Sequence, residues 1–537
     1  MSGARPVRSS AARAWLLGAV AVATTVAAFP PFGLWPLALV AAWPATALVL
    51  DAPTPRAAAL RGWLYGVGVL GLGTFWLAQT IWINLLLVAL AGPMWHAAWG
   101  WAARRVLPTA PLMVALPLLW TAQEMCRMHW PLGGYPWMAL GHALAASPVL
   151  VQAADLGGAL LLTWLAAFVA AGFWSAQRRE RRGAALAGVL LLAAVGYGLI
   201  RPALLSEPRP GPRIASIQPS FPQSLKDNPL SWEQIYDPCL KLSLRALADK
   251  PPPDVLVWPE TMWPLPVGDG DDSDVWFEAQ GREPAFTRGD AQSLTAKARE
   301  PLLQNGHTQL VLGTVWRRAA APGRRPRYSN RALVLAPDGR TTGVHDKVLL
   351  VPAGESVPFG DWLPDGAREA VVDFISRTAG FAADLAPGEG YEPVEVGGVP
   401  CGVTICFENA YGEPGRESVR RGAAFLLNLS NEAWFGTSEL DQMELHSVLR
   451  AVETRRALFR STNSGITCLV RPDGRRPEGA DRFSVGGADR NVSGVFSAQI
   501  PLRDDLTLYV RWGDWIGWLG LAGTLALLLL HRPGRPS

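Results

Sequence analysis

Three short strings in this chain carry side chains that together suffice for one kind of chemistry. An apolar run at Val255–Trp258 leads into Pro259-Glu260, a glycine turn precedes His345-Asp346-Lys347, and the run Gly402–Ile405 leads into Cys406-Phe407-Glu408. A carboxylate can take a thiol proton, the thiolate can attack a carbonyl carbon, and an ammonium can stabilise the oxyanion that develops. That set is what acyl transfer through a covalent intermediate requires. Taken singly, each residue is weak evidence, because most lone thiols are small buried hydrophobes and most lone Glu or Lys are solvated. Their placement after apolar runs counts for more, since ligands in open α/β folds gather at the carboxyl ends of strands.

The elements that must position these residues read as an α/β domain. Short β-type runs recur at Arg213–Gln218, Val255–Trp258, Leu310–Val315, Ala332–Leu335, Gly402–Ile405 and Phe425–Leu429, with helix-like stretches at Ala291–Gln304 and Leu440–Phe459 between some of them. Pro-Asp-Gly marks turns at 337–339 and 472–474. The Pro-rich segment Ser206–Pro212 reads as a linker.

Upstream the chain changes character. Of its 537 residues, 49% are hydrophobic and 18% charged, so an embedded part is expected beside the soluble one. The 24 Trp fit a membrane–water boundary, and a net charge of +4 gives no reason to expect a nucleic-acid partner. Seven apolar segments precede residue 205: Ala14–Phe29, Phe32–Leu50, Gly62–Ile83, Leu85–Ala103, Leu107–Ala122, Leu156–Trp174 and Gly183–Ile200. An eighth is Trp515–Leu530. Pro30-Pro31 leads from the first apolar run straight into the second, so the first reads as a retained span rather than a cleaved signal. Basic clusters alternate with the segments: Arg5, Arg8 and Arg13; Arg56 and Arg61; Arg104 and Arg105; Arg178, Arg179, Arg181 and Arg182; Arg532 and Arg535. Arg127 is the exception. With eight spans threaded in order, the clusters fall on one side, which puts both termini in the cytoplasm and residues ~203–512 outside the inner membrane.

The strings V-W-P-E at 257–260, K-V-L-L-V-P-A-G-E at 347–355 and I-C-F-E at 405–408 resemble the Glu/Lys/Cys signature of the nitrilase superfamily, and more narrowly the apolipoprotein N-acyltransferase family. N-L-S-N-E-A-W-F-G at 428–436, R-S-T-N-S-G-I-T at 460–467, P-L-L-W at 117–120 with Glu124, and G-Y-P-W-M-A-L-G at 134–141 resemble the same family. The resemblance implies a membrane helical bundle of about eight spans plus a nitrilase-like α-β-β-α sandwich. Residues 1–205 would hold seven spans, 206–510 the periplasmic catalytic domain, and 511–537 the last span and a cytoplasmic tail. It also implies roles. Glu260 is then the general base and later acid, Lys347 the oxyanion partner with the backbone N–H of Phe407, and Cys406 the nucleophile. Glu355 orients the lysine or the incoming amine, Glu408 is the acidic residue after the nucleophile, and Trp434 and Phe435 belong to a mobile apolar substrate loop. The implied donor is a phospholipid of the bacterial inner membrane and the implied acceptor a diacylglyceryl apolipoprotein. The expected protein is a monomer with no metal or organic cofactor.

The chain departs from the family pattern at several positions. Phe407 and His345 stand where Tyr is commoner, Ala353 where Phe is usual, Asp227 where many members have Trp, and Glu432 where Asp is more frequent. Cys401 and Cys406, five apart in one extended segment, stand roughly 16 Å apart and cannot form a disulfide. Cys126, Cys239 and Cys468 have no evident role. Glu124 and Asp155 lie near segment ends, where a capping or pairing role is expected. Two other readings stay open on the residues alone: a membrane-tethered amidase using the same three groups, and a non-enzymatic receptor or transporter whose outer domain binds ligand.

Overall fold

The computed structural model describes residues 11–79, 82–226, 232–265, 267–268, 288–318, 327–352, 354–357, 360–379, 384–435 and 437–531. Asp227, Ala353 and Gly436, as well as Arg5, Arg8, Arg532 and Arg535, lie outside the described residues. The chain forms two compact units, one of Met1–Leu205, Thr437–Leu445 and Trp512–Ser537, the other of Ser206–Gly436 and His446–Arg511.

The first unit is helical, and each apolar segment read from the sequence overlaps a helix: Ala11–Ala27, Ala38–Leu50, Pro55–Gly73, Trp82–Ala91 with Met94–Val106, Leu112–His129, Ala154–Gln177, Arg181–Ile200 and Trp515–Leu530. Boundaries shift for local reasons. Thr54 caps the third helix through Oγ1, which accepts from Ala57 N–H at 3.2 Å, and Pro55 occupies its first turn, so this helix starts seven residues before the apolar segment. Helical runs at Asn84–Val106, Leu150–Gln177 and Arg181–Leu204 are long and apolar enough to cross a membrane. Shorter apolar helices are Ala11–Ala27, Trp35–Leu50 and Trp515–Leu530. Asp155 is buried and paired with Arg201 at 2.8 Å and Tyr197 at 2.7 Å. Glu124 lies inside the Leu112–His129 helix, where it accepts from Trp120, Leu140 N–H and Thr163.

The second unit is a pair of stacked sheets. Its strands are β1 (Arg209–Gln218), β2 (Val255–Trp258), β3 (Val267–Gly268), β4 (Gln309–Arg317), β5 (Tyr328–Leu335), β6 (Thr341–Asp346), β7 (Val394–Val396), β8 (Val399–Ile405), β9 (Phe425–Ser430), β10 (Leu458–Thr462), β11 (Cys468–Val470) and β12 (Gly494–Leu502). Among the described residues one sheet runs β12-β1-β2-β4-β5-β6 with β3 beside β4, and the other β11-β10-β9-β8-β7. The two-residue period of a strand divides the apolar side chains between two layers. Val255 and Val257 of β2, Val311 of β4, and Ala332 and Val334 of β5 meet Val403, Ile405, Leu427 and Leu429 between the sheets. Their neighbours Leu256, Trp258, Leu310, Leu312, Leu333 and Leu335 face outward onto the helices Trp232–Leu247 and Arg288–Leu303. Burial on both faces explains why these strands read as unbroken apolar runs.

Three local expectations are corrected. The Pro-rich segment Ser206–Pro212 already enters β1, where Pro210 pairs with Pro501; only β12 flanks the strand there, so no second neighbour needs the missing N–H. Lys347 does follow a strand, β6, but Gly343 lies within that strand rather than in a turn before it. The helix expected over Leu440–Phe459 is Thr437–Thr454, because Arg455 adopts φ 51°, a left-handed stop, and Leu458 starts β10.

Candidate active site

Glu260, Lys347 and Cys406 each lie one or two residues beyond a strand, at the carboxyl ends of β2, β6 and β8. Two of those ends are bent into left-handed backbone, with φ 52° at Thr261, directly after Glu260, and φ 51° at Cys406 itself. Such a conformation costs a non-glycine residue on the order of 1–3 kcal/mol and persists only where its surroundings hold it. At Cys406 the chain turns from strand into the 3-10 segment Cys406–Ala410, leaving the thiol half-buried.

Glu408 holds that turn. Its carboxylate is fully buried. Oε1 accepts from the backbone N–H of Val348 at 2.7 Å and of Leu349 at 3.1 Å, while Oε2 accepts from Ile405 N–H at 2.7 Å and lies 3.5 Å from His345 Nε2. One side chain thereby joins the segment after Lys347 to the residue before Cys406. His345 also stacks on Tyr391, and the Phe407 ring packs edge-on against Tyr411.

Lys347 is 1% exposed, and its Nζ donates to Glu355 Oε1 at 2.7 Å and lies 3.7 Å from Glu260 Oε1. Burial alone would lower the ammonium, but Glu355, then Glu260 and the Cys406 thiolate, act the other way and raise it above the ordinary lysine range. Glu355 is held in turn by Val351 N–H at 2.9 Å.

Glu260 is buried and fixed by neutral donors. Asn330 Nδ2 donates to Oε1 and Asn431 N–H to Oε2, both at 2.6 Å. The segment after β2 packs against β4 without a gap: a Cβ on Gly313 would overlap the Pro259 carbonyl and the Glu260 backbone. Trp434 ends the 3-10 turn Glu432–Trp434, and both Trp434 and Phe435 are half-buried.

The structure therefore groups Glu260 and Glu355 around Lys347, with Cys406 near enough to act on the lysine charge, while Glu408 ties the backbone after Lys347 to the residue before Cys406. Asn330, Asn431 and Arg460 were not singled out from the sequence. A buried polar residue inside an apolar strand, as Asn330 in β5 and Arg460 in β10, was the available signal. Among the described residues no three His, Cys, Asp or Glu side chains are grouped to hold a metal ion.

If Glu408 is the pin described above, Glu408→Gln should damage the fold nearly as much as Glu408→Ala. The amide keeps the shape but sets N–H against N–H, and an unmet buried donor costs about 1–3 kcal/mol. Thermal denaturation of the detergent-purified full chain should show a lower midpoint for both variants. A Gln variant as stable as wild type would remove Glu408 from this role.

Residues 13–172 match the family model described as the apolipoprotein N-acyltransferase N-terminal domain, and residues 213–504 match that of carbon-nitrogen hydrolase. An apolipoprotein N-acyltransferase of Pseudomonas putida is 31% identical over 95% of this chain and 97% of its own length. One from Azotobacter vinelandii is 33% identical, covering 96% of this chain and 93% of its own. Among solved structures, an amidase from Nesterenkonia sp. aligns with 57% of this chain and 94% of its own at 18% identity, with a TM-score of 0.37.

Proposed function

We propose, from the premise that this chain belongs to the apolipoprotein N-acyltransferase family and is an acyltransferase with a carbon-nitrogen hydrolase domain, the following reaction. An acyl chain passes from a membrane phospholipid to the α-amine of the S-diacylglyceryl-cysteine that begins an apolipoprotein, the last step of bacterial lipoprotein maturation. The observation that carries the reading is the convergence of a buried carboxylate, a buried ammonium and a half-buried thiol at three strand ends.

The reaction has two halves. Glu260 takes the Cys406 proton, and the thiolate attacks an ester carbonyl of the phospholipid. The oxyanion is stabilised by Lys347 and the Phe407 backbone N–H. Collapse of the adduct breaks the ester C–O bond, and the lysophospholipid leaves with the proton from Glu260, giving a thioester on Cys406. The lipoprotein amine then attacks the thioester carbonyl and yields a proton to Glu260. The C–S bond breaks, the amide is complete and the thiol is restored. Glu355 supports the choreography by neutralising Lys347, and Trp434 and Phe435 form a substrate loop that shields the thioester from water.

Both substrates are lipid-anchored, which favours a site tied to the bilayer. In this reading the eight apolar helical segments are spans, both termini are cytoplasmic, and residues 206–510 work as a monomer on the periplasmic side of the inner membrane.

Intact-mass spectrometry of the purified protein should find an acyl adduct in wild type and none in Cys406→Ala or Cys406→Ser, with lipoprotein N-acylation lost in both. A serine hydroxyl ionises far less readily than a thiol. N-acylation surviving in Cys406→Ala would end the covalent reading.

The raised Lys347 ammonium has a pH consequence. In wild type no falling alkaline limb from lysine deprotonation is expected in the acylation rate up to about pH 10, near the ordinary lysine value. Glu355→Gln removes the strongest charge raising it, so the ammonium should lose its proton more readily and a falling limb should move to lower pH. A pH–rate series on both proteins checks this, and identical profiles would separate Glu355 from the lysine charge.

For topology, a reporter fused after Arg182 should be cytoplasmic and one inserted near Gly270 periplasmic. Finding both on one side would mean that the number of spans between them is even.

A further inference from the structure

We infer that the buried ion pair Arg460–Glu432 is a positioning device that fixes the turn at Asn431, and through it the orientation of the Glu260 carboxylate. The inference rests on the reading of Cys406 as nucleophile and Glu260 as base.

Both side chains are fully buried, and the guanidinium Nη2 contacts Glu432 Oε1 directly. Arg460 stands in the middle strand segment of β10 and Glu432 opens the turn that ends in Trp434. The residue between β9 and that turn is Asn431, whose N–H donates to Glu260 Oε2 at 2.6 Å. Asn431 is braced on its side chain as well: Asn463 Nδ2 donates to its Oδ1 at 2.9 Å and its Nδ2 donates to Gln223 at 3.0 Å. Glu432 is set from the other direction. Ser430 Oγ donates to Oε1 at 3.2 Å, and Oε2 lies so close over Gly465 that any Cβ there would overlap it. Across the sheet, Arg460 Nε reaches Asn428 Oδ1 at 3.5 Å, and Asn428 Nδ2 donates to the Thr404 carbonyl at 3.3 Å and its hydroxyl at 3.2 Å, two residues before Cys406. Through Asn428, one guanidinium is thus linked to the strand of the nucleophile, while its direct partner Glu432 lies on the turn that bonds the base.

Stability does not explain such a pair. Apolar residues of similar volume often replace a buried ion pair with no loss, because both ions must be desolvated. What the pair supplies is a fixed length between β10 and the turn. Burial pushes Arg460 down to about 10, with the Cys468 and Cys406 thiolates acting the other way, so it remains a cation at neutral pH. Gly465, without a side chain, leaves the room that the longer Glu432 needs.

The test measures single-turnover thioester formation on Cys406 from a labelled phospholipid, using the full chain in detergent, for Glu432→Gln, Glu432→Asp and the double variant Arg460→Met with Glu432→Met. Glu432→Gln should slow acylation at maximal donor by at least about tenfold, while the donor concentration for half-maximal rate stays within about twofold, since small misplacements of a reacting group cost rate rather than binding. Glu432→Asp, which keeps the charge, should recover to within about threefold of wild type. The double variant removes both charges of the pair and leaves neither unmatched, so its thermal midpoint should return to that of wild type while its acylation stays slow. Wild-type rates in Glu432→Gln, or in the folded double variant, overturn the inference. Should Glu432→Gln not fold, the double variant carries the test alone. Failure of the underlying reading looks different: wild type itself would then form no adduct on Cys406.

Discussion

An ammonium taken out of water must be matched by negative charge close at hand, and Lys347 imposes that demand on everything around it. Desolvating an ion costs several kcal/mol, whereas two unit charges about 4 Å apart attract by about 4 kcal/mol at an effective dielectric near 20. Two carboxylates are therefore needed, and they do different work. Glu355, at 2.7 Å, makes the hydrogen bond; Glu260, at 3.7 Å, adds field without being tied. Because the lysine does not bond Glu260 directly, that carboxylate is oriented by uncharged donors, the Asn330 amide and the Asn431 backbone. Held this way, the carboxylate has both oxygens fixed in direction without being tied to the lysine.

The same division recurs in the backbone. Strands β2 and β8 deliver Glu260 and Cys406 to the sheet ends, and each end then bends into left-handed φ at Thr261 and Cys406. Such strain has to be held from outside the strand. Glu408 does this for Cys406 by collecting three backbone N–H groups from two segments, while the close approach of Gly313 leaves no room for the Glu260 segment to relax towards β4. The sandwich core supplies rigidity, and a few buried polar groups convert it into position.

Much of this was legible in the residues. Val255–Trp258 was read with its true bounds, and Gly402–Ile405 and Phe425–Leu429 were found because strands buried on both faces become apolar runs. Strands β6, β7 and β11 carried no such run: Thr341–Asp346 is largely polar, and β7 and β11 are three residues long. The end of the Thr437–Thr454 helix was hidden because a left-handed arginine, not a glycine, stops it. In the site, Glu260, Lys347, Cys406, Glu355 and Glu408 were nameable from local strings. Asn330 and Asn431 were not, since a hydrogen bond between positions 330 and 260, or 431 and 260, is made by topology and leaves no spacing to read.

Three of the positions expected to depart from the family pattern, His345, Phe407 and Glu432, share a physical trait: their contacts run to the support of the candidate site. His345 stacks on Tyr391 and approaches Glu408, the carboxylate that pins the Cys406 turn. Phe407, lacking the usual hydroxyl, packs its ring on Tyr411 and so keeps the apolar part of the interaction. Glu432, one methylene longer than the usual Asp, extends over Gly465 to reach Arg460. In each case the changed side chain meets another residue of the chain that can absorb a difference in length or polarity. In the proposed reaction Glu260, Lys347 and Cys406 have no such latitude, because a proton, an oxyanion and a carbonyl carbon would fix the distances between them. On that proposal a side chain can change in length or polarity where packing compensates, and cannot where the reacting atoms set the geometry.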